Sequence, residues 1–125
     1  MKYGELNGLT EAIKALRTQP QSFSIARRLK DVCDAVEKEN KWFNEQVQGI
    51  VNRCAAKDED GNPLETSDGG VQIENTKEFE NLVNELMNTD TAAIPTMSED
   101  DLKQFKVSAE QLDFLLLICE VKENE

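Results

Sequence analysis

Leu6, Leu9, Ile13 and Leu16 recur at spacings of 3, 4 and 3, the signature of one apolar face of a helix. Gly8 weakens the first turn of that helix and leaves Thr10-Glu11 as a second place for it to start. Pro20 ends it, because the residue before a proline is pushed out of the helical region. A new start signal follows at Ser22 or Ser24. From there Ile25, Leu29, Val32, Val36, Phe43, Val47, Ile50 and Cys54 stand 4, 3, 4, 7, 4, 3 and 4 apart. This is a heptad-like stripe with one stutter near Glu39 and Asn40. Residues 1–57 therefore predict a short helix folded back, antiparallel, on a long one. The long helix outruns its partner, so another element must cover its distal stripe.

The middle of the chain changes character. Asp58-Glu59-Asp60-Gly61-Asn62-Pro63 and Ser67-Asp68-Gly69-Gly70 are turn chemistry, and a short run ending in Val71-Gln72-Ile73 lies beside them. A loop or small β-hairpin is expected over residues 58–75. Asn75 with Glu78 reads as a helix cap ahead of Phe79, Leu82, Val83, Leu86 and Met87. Ala92-Ala93-Ile94-Pro95 is extended, a candidate edge strand. Two capping boxes follow, Ser98 with Asp101 and Ser108 with Gln111. The last predicted helix, from about Ala109 to Val121, is apolar nearly all round, which suits either a central core element or a docking surface. Core is the expectation. The predicted core is Leu9, Ile13, Leu16, Leu29, Val32, Val36, Phe43, Ile50, Phe79, Leu82, Leu86, Leu112, Leu115 and Leu116.

The fold class that emerges is mostly α. It comprises an antiparallel helical hairpin with one long helix, a short β-hairpin or loop insertion, and two or three shorter C-terminal helices. At 125 residues this fits a single domain, in which residues 1–57 form the hairpin, 58–75 the insertion and 76–125 an acidic helical part.

Charge sharpens that last division. The chain carries 14 Lys and Arg against 25 Asp and Glu, a net charge of −11. Residues 1–57 hold 10 basic and 7 acidic side chains (+3), and residues 58–125 hold 4 and 18 (−14). With no cationic surplus, gripping nucleic acid by charge is not expected. No His is present, which removes the commonest acid–base catalyst at neutral pH and the commonest transition-metal ligand. The longest dense apolar stretch, Leu112 to Val121, is about half of what spans a bilayer. The start Met1-Lys2-Tyr3-Gly4-Glu5 lacks the apolar run of a secretory signal. Cys33, Cys54 and Cys119 form no close pair and are expected as small buried hydrophobes in a reducing compartment.

The motifs that could carry chemistry each fall short of it. Asp58, Asp60 and Asn62 imitate the opening of an EF-hand loop, but its sixth and twelfth positions are Pro63 and Gly69, where that loop needs Gly and Glu. The cysteines lack a histidine base, Ser98 and Ser108 are accounted for as caps, and Gly69-Gly70 lacks the Lys-Ser/Thr of a phosphate loop. No enzyme, metal or cofactor is expected. What remains are candidate partner-binding residues. Glu99, Asp100 and Asp101 form an acidic block, although negative charge also suits a helix start. Arg27 and Arg28, with Lys30, form a small basic cluster on the outer face of the long helix. Trp42 sits beside Phe43 but off the stripe, as a second packing contact or part of an interface.

The order of features also carries a resemblance. Lys2-Tyr3-x-Glu5-Leu6-Asn7 leads a first helix, and a long charged helix closes on Lys57-Asp58-Glu59-Asp60-Gly61-Asn62-Pro63. Then come Phe79-Glu80-Asn81-Leu82-Val83-Asn84-Glu85-Leu86-Met87-Asn88-Thr89, Ile94-Pro95, Leu102, and Val107-Ser108-Ala109-Glu110-Gln111-Leu112. Across nearly its whole length the chain resembles a family of small acidic proteins of tailed bacteriophages and prophages, catalogued as a domain of unknown function. It departs in the Gly69-Gly70 stretch, which is longer than the usual connection, and in its three cysteines. The resemblance transfers no functional residue. It implies a viral origin, a place in the bacterial host cytoplasm or the virion, and work done by contacting other proteins.

Two functions follow as expectations. One is a virion-associated or morphogenesis accessory protein of tail, neck or assembly, partnered by a phage structural protein or by further copies of itself. The other is an acidic inhibitor of a host defence or nucleic-acid-binding protein, with residues 58–125 acting as a decoy of nucleic acid. Neither involves a membrane or direct nucleic-acid binding.

Overall fold

In the computed structural model, which describes residues 1–120, the chain is mostly helical. The elements are α1 (Tyr3–Arg17), α2 (Phe23–Cys54), α3 (Thr76–Met87), α4 (Glu99–Leu102) and α5 (Ala109–Leu115), followed by a 3-10 turn at Leu116–Ile118. The hairpin of a short helix on a long one is α1 on α2.

Helix α1 runs unbroken from Tyr3, and Thr10-Glu11 is interior to it. The backbone N–H of Lys2 donates to the Glu5 carboxylate at 2.9 Å, tying the entry to the first turn. Gly8 has a packing role. A Cβ at that position would collide with the ring of Phe114, so the glycine is the notch through which α5 approaches α1.

Helix α2 has 32 residues and is about 48 Å long, against about 22 Å for the 15 residues of α1. The uncovered distal half is taken by α3. Its start is fixed to the end of α2 by the Arg53–Glu78 ion pair (2.8 Å) and by the Glu74 N–H donating to the Cys54 carbonyl (2.9 Å). Its far end meets the start of α1, where the Tyr3 N–H reaches the Thr89 carbonyl at 3.0 Å. Helices α3 and α1 thus lie end to end along α2, both antiparallel to it.

Depth differs along this arrangement, and that corrects the predicted core. Around α1 there are three layers, since α2 and α5 both pack on it. There Leu9, Ile13, Leu16, Leu29, Val32, Val36 and Leu115 are buried as expected, joined by Tyr3, Leu6, Met97, Phe105 and Ile118. The distal half has only α2 against α3. Ile50, Phe79, Leu82 and Leu86 are half-buried there, because each is covered from one side, and Phe43 is half-buried at the boundary, stacked on Tyr3. Leu112 and Leu116 are exposed, not core: α5 turns Leu115 and Phe114 toward α1 and leaves those two outside.

At the distal tip, three extended segments meet. Their isolated antiparallel bridges pair Ala55 with Ile73, Lys57 with Pro63 and Glu65 with Val71, in place of a regular hairpin. The hydrogen bonds close a ring: Ala56 N–H to Gln72 O (2.9 Å), Gln72 N–H to Leu64 O (2.8 Å), and Leu64 N–H to Ala56 O (2.8 Å). Gly61 (φ 82°) and Gly69 (φ 86°) adopt the left-handed conformation that finishes each turn. Asp58 Oδ1, which imitated a calcium ligand, accepts the N–H groups of Asp60 and Asn62 at 2.9 Å and so belongs to the turn.

Residues 92–95 form no strand. The extended contact in this region is instead a parallel bridge between Met97 and Cys119, with the Met97 N–H on the Ile118 carbonyl (2.8 Å) and the Glu120 N–H on the Met97 carbonyl (2.9 Å). That bridge ends the last helix early, since Cys119 must turn extended to make it. The predicted helix end at Val121 lies outside the described residues.

Candidate functional site

The six candidate residues do not form one site. Arg28, one turn into α2, and Asp101, in α4, turn toward each other. The guanidinium grips the carboxylate in two parallel hydrogen bonds, Nε to Oδ2 at 2.6 Å and Nη2 to Oδ1 at 2.7 Å. Asp101 is only 8% exposed, and its own N–H is capped by the Ser98 hydroxyl at 3.1 Å. The Arg28 hydrogen bond holds the Asp101 carboxyl below its ordinary range, outweighing the opposite effect of burial. This pair fastens α4 to α2, so Asp101 is withdrawn from any acidic face and Arg28 from the basic cluster.

Of the remaining acids, Glu99 is exposed with Lys103 at 3.6 Å, and Asp100 is exposed. Arg27 is exposed and, among the described residues, has no ion-pair partner. Trp42 lies about 20 Å along α2 from Arg28, by helical rise. One face of its ring stacks on Tyr3 (centroids 5.1 Å apart), so it is a packing contact, and 40% of the residue remains open to solvent.

The cleft beside the end of α1 has a volume of about 290 Å³ and is floored by Leu29, Cys33 and Phe105. Its polar rim is spent internally. Gln19 and Gln21 donate to the carbonyls of Lys106 (2.9 Å) and Gln104 (2.8 Å), Lys30 pairs with Asp34 (2.8 Å), and Arg17 with Glu37 (3.6 Å). Burial pushes the Cys33 thiol up, away from the thiolate that reacts. Among the described residues no group of three or more Cys, Asp or Glu is placed to hold a metal ion, and no helix is long and apolar enough to cross a membrane.

The expectation of core missed the outward face of α5 and the turn after it, although the all-round apolar pattern also suited a docking surface. Leu112 is 43% exposed, Leu116 57% and Leu117 38%. The signal was the apolar run on every side of this helix, but nothing local says that only one side is covered. A second missed feature is Glu39, buried at the stutter of the α2 stripe. Its Oε1 accepts the Tyr3 hydroxyl at 2.9 Å and the Ala92 N–H at 2.7 Å. The stutter was the place to look for it.

No protein-family model, curated protein or solved structure matches this chain.

Proposed function

We propose that this is a non-enzymatic phage protein that acts through protein–protein contacts, as a virion-associated or morphogenesis accessory protein of tail, neck or assembly. The observation that supports a contact role is the exposed leucine face of α5 and its following turn; the cleft beside the end of α1 has its polar rim bonded within the protein. Three leucines left in water on consecutive turns are more than single apolar residues scattered over a surface. The phage setting is supported by the order of motifs from Lys2-Tyr3 to Gln111-Leu112.

The test is an affinity pull-down of tagged protein from phage-infected bacteria, washed at low and at high salt and read by mass spectrometry. Phage structural proteins retained at high salt are the expected result, because an apolar contact survives screening. A basic host protein held only at low salt would favour the acidic-inhibitor reading instead. Enrichment of neither overturns the contact role.

A further inference from the structure

Helix α5 packs on α1 through Phe114 and Leu115, with Ile118 buried just beyond. The helical period then fixes what points away: Leu112 and Leu116 are one turn apart on the outer side, and Asp113 stands one turn before Leu116 and Leu117. Beyond Lys106, which stands just before α5, the charge carried by this segment has a single sign. Residues 107–120 contain Glu110, Asp113 and Glu120 and neither Lys nor Arg. Among the described residues Glu110 and Asp113 have no ion-pair partner.

We infer that this face receives a basic amphipathic helix of another protein, a deepening of the contact role proposed above and dependent on it. An apolar stripe needs an apolar occupant, and the acids set within it need cations at its edges. A second copy meets the first demand and fails the second. It would set acids against acids between chains of net charge −11. Nucleic acid and an anionic bilayer are repelled for the same reason. A helix with leucine-like residues on one side and Lys or Arg flanking them satisfies both.

The test titrates full-length protein with fluorescent synthetic helical peptides and follows anisotropy. The probe is an amphipathic leucine/lysine helix. Its controls are the same helix with glutamate for lysine and a lysine/serine peptide of equal charge. Wild type is expected to bind the leucine/lysine probe, and each control about tenfold more weakly or worse. The paired variant L112S/L116S and, separately, Asp113→Lys should each weaken the probe by about tenfold. Asp113 is exposed, so the second variant reports on the face without touching the core.

Several results overturn the inference: no binding by wild type, equal binding of the lysine/serine peptide, or unchanged binding by both variants. A wild-type dimer in sedimentation that L112S/L116S dissociates also overturns it, assigning the face to a second copy. Repeating the infected-cell pull-down with L112S/L116S separates the two readings. A phage partner still captured sinks this face and leaves the contact role standing; no partner captured by wild type sinks the contact role itself.

Discussion

The Tyr3 hydroxyl donates to Glu39 Oε1 at 2.9 Å, and the Ala92 N–H reaches the same oxygen at 2.7 Å. One buried carboxylate oxygen thereby joins the start of α1, the middle of α2 and the segment after α3. The Tyr3 ring also stacks on Trp42 and Phe43, with centroids 5.1 and 5.7 Å away. This junction lies where α1 and α3 meet end to end, the point at which the layer covering α2 would otherwise part.

Glu39→Ala leaves the buried Tyr3 hydroxyl unpaired and hands the Ala92 N–H, on an exposed residue, to water, so it should lower stability by about 1–3 kcal/mol. Tyr3→Phe removes one bond and keeps the stacking, so it should cost about 0.5–1.5 kcal/mol. Urea unfolding measures both, and a Glu39→Ala variant as stable as wild type would refute the junction.

The same contact sets an alkaline limit. Burial first, then the hydrogen bond to Glu39 and its charge, push the Tyr3 hydroxyl from 10.0 up to about 12. A raised value means that the folded state holds the proton more tightly. The contribution is complete below pH 10 and drains away as pH rises toward about 12. Tyr3 is the only tyrosine, so tyrosinate absorbance reads it directly. The native midpoint should lie well above that of the urea-unfolded chain, and coincident midpoints would contradict the burial of this hydroxyl.

The Arg28–Asp101 pair sets the acid limit with the opposite sign. Asp101 titrates below its ordinary 3.8, so its contribution is full above that value and is lost as pH falls through the lower native one. Asp101→Asn should lower the urea midpoint at neutral pH and flatten the loss of stability in acid. Reversing Glu99 and Asp100 alone should leave the fold intact, which makes those two the right pair for testing an acidic face.

Two glycines in helices should respond oppositely to alanine. A Cβ added at Gly49 on α2 would have nothing within 4 Å, so Gly49→Ala should stabilise by about 0.5–1 kcal/mol. At Gly8 the methyl meets the Phe114 ring, and Gly8→Ala should destabilise by about 1–3 kcal/mol despite the better helix propensity. Adding Phe114→Leu should recover part of that loss. Equal effects at the two glycines would mean that Gly8 is not the notch for α5.

Helices α1, α2 and α3 were legible because an amphipathic face leaves 3- and 4-residue spacings; Asn75 caps the start of α3 and Ser22 stands at that of α2, while the start of α1 at Tyr3 carries no such signal. Tyr3 stands three residues before Leu6 on the same α1 stripe, but a spacing rule that counts apolar residues says nothing of a ring with a hydroxyl at its end. Glu39 was visible only as a gap in the α2 stripe, since no local rule pairs a carboxylate with a tyrosine 36 residues away. Met97 and Phe105 are isolated apolar residues outside any periodic run, and topology alone buries them. Of the candidate site, the acidic block and the basic cluster were legible as charge. That Arg28 and Asp101, 73 residues apart, would neutralise each other was not.

The difference between the three-layer and two-layer halves should appear in the thiols. Cys33 is buried beneath α1, in the part of α2 where Leu29, Val32 and Val36 are all buried. Cys54 is more fully buried than Cys33, which floors the cleft beside α1, but it sits at the distal end, where its neighbours on α2 and α3 are only half-covered. Local opening follows the number of buried apolar contacts that must be broken. With a thiol reagent under native conditions, Cys119, which is partly exposed, should react first, Cys54 next through opening of the tip, and Cys33 last. Mass spectrometry of labelled peptides gives the three rates. Tightening α3 on α2 with a larger apolar residue at Val83 should slow Cys54 and leave Cys33 unchanged; if Cys33 labels as fast as Cys54, the two halves open together and the layered difference has no dynamic consequence.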